Sequence, residues 1–134
     1  MMKRILPVFL SLVLVVGCWS IPVPDGKPLP PAPVVTVDSL WLVVVDDITT
    51  RTPATAALLT DLGYWQSLSK KGQKWSIVDV NNAQSAQYKT QITEAGGTPC
   101  LIILDASTRK ELASVKLPSD KSGVDSIIKK WTGK

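Results

Sequence analysis

From Val34 onward, short apolar runs alternate with segments whose apolar residues recur at helical spacing. Leu40-Trp41-Leu42-Val43-Val44-Val45 is continuous, apolar and rich in β-branched residues, as expected of a strand buried on both faces. Thr52-Pro53 supplies an N-cap followed by proline at the first helical position. The helix predicted to follow carries Leu58, Leu62 and Trp65 on one face and stops at Lys70-Lys71-Gly72. Trp75–Val80 reads as a second strand, and Ser85–Ala95 as a second helix with Tyr88, Ile92 and Ala95 on its stripe. Leu101–Leu104 and Leu112–Leu117, joined by the polar turn Ala106–Lys110, predict an antiparallel hairpin. A capping-box-like Ser122-Gly123-Val124-Asp125 opens a last helix burying Val124, Ile127, Ile128 and Trp131. The predicted order is β-α-β-α-β-β-α, an α/β fold with a mixed four-stranded sheet and flanking helices.

A different pattern precedes it. Lys3 and Arg4 stand before the apolar run 5–16, which ends at Gly17-Cys18. A short positive region, an apolar stretch below the roughly 20 residues needed to span a bilayer, and a small residue before a cleavage point are the parts of an export signal. Val15-Val16-Gly17-Cys18 resembles the bacterial lipobox, with valine where leucine is usual. The resemblance implies a signal peptide over 1–17 and lipidation of Cys18 as the mature N-terminus. The plainer alternative is an ordinary signal cut near Gly17, with Cys18 incidental.

Residues 18–37 read as a lipid-anchored linker. Six of the ten prolines fall between Pro22 and Pro33. Proline fixes φ and lacks the amide hydrogen for a ladder, so this segment is expected to be an extended tether. At about 3.1 Å per residue it would reach roughly 50 Å. Residues 38–134 are enough for one domain.

Composition narrows the chemistry. The chain has 15 basic and 11 acidic residues, and without Lys3 and Arg4 the balance is 13 against 11, or +2. That is too weak a net field to argue for nucleic acid. There is no histidine, which removes the commonest general base and metal ligand. Two cysteines, one assigned to lipid, leave Cys100 without an intramolecular partner.

The element order, with Thr98-Pro99 just ahead of the third strand, resembles the thioredoxin fold over residues 38–132. The resemblance implies a cis bond at Pro99 beside a site at the start of the first helix. Redox activity in that family needs a Cys-x-x-Cys there, where the helix dipole favours a thiolate. Aligning proline with proline sets Arg51-Thr52-Pro53-Ala54 in its place, so both thiols are missing. The acid that serves the redox pair would fall near Val45, with Asp46 one position off.

The expectation is therefore a membrane-anchored, redox-inactive thioredoxin-like lipoprotein, a binding or scaffolding module in the cell envelope. The membrane, through the N-terminal lipid, and an envelope protein are its expected partners. No cofactor, metal or catalysis is expected. Trp19 after the lipidated residue points to the outer membrane, facing the periplasm, in a double-membraned host. The alternative is a single-cysteine thiol–disulfide protein using Cys100 beside Pro99, although free cysteine is most often a buried apolar side chain.

Thr50, Arg51 and Thr98 are the candidate binding loop, beside a helix N-terminus. Asp46-Asp47 is expected to be a solvated strand end rather than a cation site, which would need Asp79 and Asp105 nearby. Trp41, Trp65, Trp75 and Trp131 are expected to face the core.

Overall fold

A central strand organises the domain. In the computed structural model, which describes residues 35–134, β1 (Leu40–Asp46) pairs in parallel with β2 (Lys74–Asp79). On its other edge it pairs antiparallel with β3 (Cys100–Asp105), which pairs antiparallel with β4 (Glu111–Lys116). The strand order is β2-β1-β3-β4. Leu40 and Leu42 to Val45 are all fully buried, which matches the unbroken apolar run of a strand covered on both faces. The signal segment 1–17, Cys18 and the linker up to residue 34 lie outside the described residues.

Among the described residues four helices and one 3-10 segment cover the sheet: α1 (Pro53–Thr60), α2 (Leu62–Lys70), the 3-10 segment (Ala83–Tyr88), α3 (Lys89–Glu94) and α4 (Lys121–Thr132). The side chains fall into two clusters. Leu40, Leu42, Val44, Leu101 and Ile103 meet Leu58, Leu59, Trp65, Leu68 and Val124, so α1, α2 and α4 share one face. Val43, Val45, Cys100, Ile102 and Leu104 point the other way, towards Tyr88, Ile92 and Ala95.

Three expectations are corrected. The single helix over 53–70 is broken at Asp61, which ends α1 and whose carboxylate caps α2 by accepting from the Tyr64 amide at 3.0 Å. A short acidic side chain offers the backbone this competing hydrogen bond, and the helix restarts with a new phase. Leu62 consequently points outward and is 56% exposed. The helix expected over Ser85–Ala95 is a 3-10 turn followed by the six-residue α3. Buried Ser85 donates to the carbonyls of Val80 and Asn82, which fixes the tighter entry. The last helix starts earlier than Ser122, because Asp120 is its N-cap and accepts from the Gly123 amide at 2.8 Å.

The tryptophans also differ from one another. Trp65 is fully buried, and its indole donates to the Leu58 carbonyl at 2.9 Å. Trp41, Trp75 and Trp131 are only half-buried. Trp75 lies 5.7 Å from Trp65, while Arg109 covers Trp41 and Lys130 covers Trp131.

Candidate functional site

The carboxyl end of β1 and the start of α1 form the candidate site. Thr52 accepts from the Thr55 amide at 3.2 Å, and Thr55 accepts from the Thr52 amide at 2.9 Å; this reciprocal cap sets where α1 begins. Immediately before it, Arg51 turns back onto β1. Its Nε donates to Asp46 Oδ1 at 3.0 Å and Oδ2 at 2.8 Å, and its terminal nitrogen contacts Oδ2. The Asp46 side chain is 3% exposed and that of Arg51 is 30% exposed. Hydrogen bonding to Asp46, with added attraction from Asp46 and Asp79, holds the Arg51 guanidinium above its ordinary pKa.

Asp46 therefore departs from the solvated strand end expected for it. It is a buried carboxylate facing a cation, whereas Asp47 is the member of the pair that shapes the loop. Asp47 accepts from the Thr49 hydroxyl at 2.6 Å and the Thr49 amide at 2.9 Å, and these bonds lower its pKa. Asp79 pairs in register with Asp46, but Asp105 lies beside Leu40 at the opposite end of the sheet. Among the described residues no three potential ligands gather as a metal site requires.

The structure brings Thr50, Arg51 and Thr98 to one edge. Thr50 Oγ1 lies 3.4 Å from Thr98 Oγ1, so the β1–α1 loop touches the loop before β3. The Thr98–Pro99 bond is cis, and the Pro99 carbonyl accepts from Leu117 at 3.1 Å. Gly97, at φ 112°, makes the preceding turn that a side chain would strain. Ile48, 67% exposed, stands in the same loop as Thr50.

Cys100 is not on this surface. Its side chain is fully buried among Val43, Val45, Ile102 and Leu104. Burial raises the thiol pKa, opposed by a hydrogen bond with the Val45 backbone. The Arg51 guanidinium of the β1–α1 loop is engaged by Asp46.

Sequence reading overlooked the Asp46–Arg51 pair. Its one visible signal was an acid ending an apolar strand with an arginine five residues on, which says nothing about direction until the loop is folded. Chemically, the edge offers hydroxyls, a half-exposed guanidinium and an apolar side chain. No protein-family model matches the chain, and no curated protein matches it in sequence.

Proposed function

We propose that this chain is a lipoprotein anchored through Cys18, carrying a thioredoxin-like domain whose redox pair is replaced and which serves as a binding or scaffolding module in the cell envelope. In a double-membraned host it would sit on the outer membrane, facing the periplasm. The sheet order β2-β1-β3-β4, with only β1 and β2 parallel, supports the fold assignment. The observation that carries the functional reading is the Asp46–Arg51 ion pair. At the position where the family's chemistry needs a thiolate, this chain holds a guanidinium fixed on a buried carboxylate. Such a pair can orient a hydrogen-bonding surface, but it cannot exchange disulfides.

Burial of Cys100 and the upward shift of its pKa weigh against the single-cysteine alternative. Insulin reduction separates the two readings. Inactivity of both the wild type and Cys100→Ser supports the binding module, and turnover that depends on Cys100 overturns it. Crosslinking on envelope fractions with mass spectrometry would then identify the neighbour. Loss of that crosslink in Arg51→Ala would locate the contact at the Thr50–Arg51–Thr98 edge, and an unchanged crosslink would exclude it.

A further inference from the structure

The charges of the domain are sorted by end. Opposite the Asp46–Arg51 edge lies a base made of the start of β1, the ends of α2 and α4, and the β3–β4 turn. Several hydrogen bonds tie these pieces together. Val37 donates to the Trp131 carbonyl at 2.9 Å, Ala106 to the Ser39 carbonyl at 3.0 Å, and Leu40 to the Gln73 side chain at 2.7 Å. Lys70, Lys71 and Lys74 surround the turn from α2 to β2. Lys129, Lys130 and Lys134 stand at the end of α4. The β3–β4 turn adds Arg109 and Lys110.

All eight side chains are exposed, and none is in an ion pair among the described residues. Against them the base holds four carboxylates, Asp38, Asp105, Glu111 and Asp125, for a net of +4. Asp105 and Glu111 already accept hydrogen bonds from Ser107 and from Ser114 and Gln91. The rest of the domain carries four cations and six carboxylates, a net of −2. The modest overall charge is thus divided unevenly between the two ends.

Two further features mark the base. A cleft of about 580 Å³ between the ends of α2 and α4 has Leu68 and Ile128 among its apolar lining, with Lys71, Lys129 and Lys134 around it and Asp125 as its one carboxylate. Half-buried Trp41 and Trp131 lie there under Arg109 and Lys130, amphipathic rings of the kind favoured where apolar and wet surroundings meet. The chain also enters the domain at this end, since Val37 is the residue bonded to Trp131 and the sequence before it leads back to Cys18.

We propose that this basic base lies against an anionic phospholipid surface, leaving the Thr50–Arg51–Thr98 edge turned away from the membrane. The inference rests on the lipoprotein reading for how the domain reaches the bilayer, whereas the charged surface is independent of it. Charge complementarity and the coincidence of the base with the chain's entry point favour lipid over other polyanions. Basic residues near an anionic bilayer each strengthen binding by about fivefold, and the attraction is screened by salt.

The test uses the mature chain from residue 18 with Cys18→Ser, so that neither the apolar segment 5–16 nor lipidation contributes, and vesicles of phosphatidylcholine with or without phosphatidylglycerol. Co-sedimentation is compared for that chain, for Lys70→Gln/Lys71→Gln/Lys74→Gln, for Lys129→Gln/Lys130→Gln/Lys134→Gln, and for the control Lys116→Gln, at the end of the sheet where β4 pairs with Cys100. The expected result is a phosphatidylglycerol-dependent gain that high salt removes. Each base triple should weaken it by roughly a hundredfold, at about fivefold per lysine, and the control should leave it near its full value. Equal binding to both vesicles, base variants that bind as tightly as the control, or tighter capture by duplex DNA than by phosphatidylglycerol vesicles would each overturn the proposal. Labelled palmitate incorporation into the wild type, absent in Cys18→Ser, tests the anchor separately, so failure of one reading is distinguishable from failure of the other.

Discussion

The two faces of the sheet are covered unequally. One lies beneath α1, α2 and α4, with Trp65, Leu68 and Val124 fully buried between helix and sheet. The other is covered by a 3-10 turn, in which Ser85 is buried, and a six-residue α3, in which no residue is buried. The strand residues on both faces are equally inaccessible, so the difference resides in what holds the covering layer down. Packing and long helices secure the thick side. The thin side depends on a few half-buried contacts and a polar clasp, in which Gln91 of α3 donates to Glu111 of β4 at 2.9 Å. Regions with few buried apolar contacts open at lower free energy than the global unfolding limit. Cys100 lies under the thin layer.

The largest effect should come from the thick side. Trp65→Ala removes a fully buried indole and its bond to Leu58, and is expected to cost about 3–5 kcal/mol in urea unfolding. A loss below about 1 kcal/mol would show that this face is not the main core. Ile92→Ala, on half-buried α3, should cost less, about 1–2 kcal/mol. It should also speed maleimide labelling of Cys100 under native conditions far more than Trp65→Ala does at equal stability. Equal labelling rates would mean that the thiol is reached only by global unfolding, and the comparison would fail.

Loss of the α1 cap should be milder. Thr52→Ala is expected to cost about 1 kcal/mol, and exchange should rise in the first turn of α1 without reaching α3. At the same edge, Arg51→Ala should destabilise more than Asp46→Asn. The first strands a buried carboxylate, whereas the second frees a half-exposed guanidinium that can turn to water. The reverse order in urea midpoints would contradict the geometry described for the pair.

The smallest effect concerns pH. Hydrogen bonds from Ser114 and then Gln91 hold the Glu111 pKa below its ordinary 4.5. A carboxylate lowered in the folded state adds stability that is complete above its ordinary value and is lost as pH falls through the folded one. Acidification below 4.5 should therefore loosen α3 before the thick side, seen as faster exchange of α3 amides after correction for intrinsic rates. Glu111→Gln should flatten that dependence, and an unaltered acid slope would assign it to other carboxylates.

Much of the fold was legible because burial on both faces leaves a direct mark. The runs at β1 and β3 carry the mark of central strands, and Thr52-Pro53, Lys70-Lys71-Gly72 and the Ala106–Lys110 turn punctuate the rest. The helix from 53 to 70 was misread because Asp61 looks like one more polar position at helical spacing. Whether its carboxylate bonds its own backbone depends on α2 finding a different path over the sheet. The site was legible in part. Thr50, Arg51 and Thr98 follow from position in the chain, but the burial of Asp46 and the direction of Arg51 are properties of the closed loop.

By itself, the sequence determined the strand cores, the first helix's cap and the absence of a cysteine pair at its start, because periodicity, cap chemistry and composition are local. Only the tertiary structure decided that Cys100 is sealed beneath α3, that Asp46 meets Arg51 rather than water, and that eight scattered cations share one end. Those outcomes depend on which distant segments are brought together, and chain spacing alone carries no record of that.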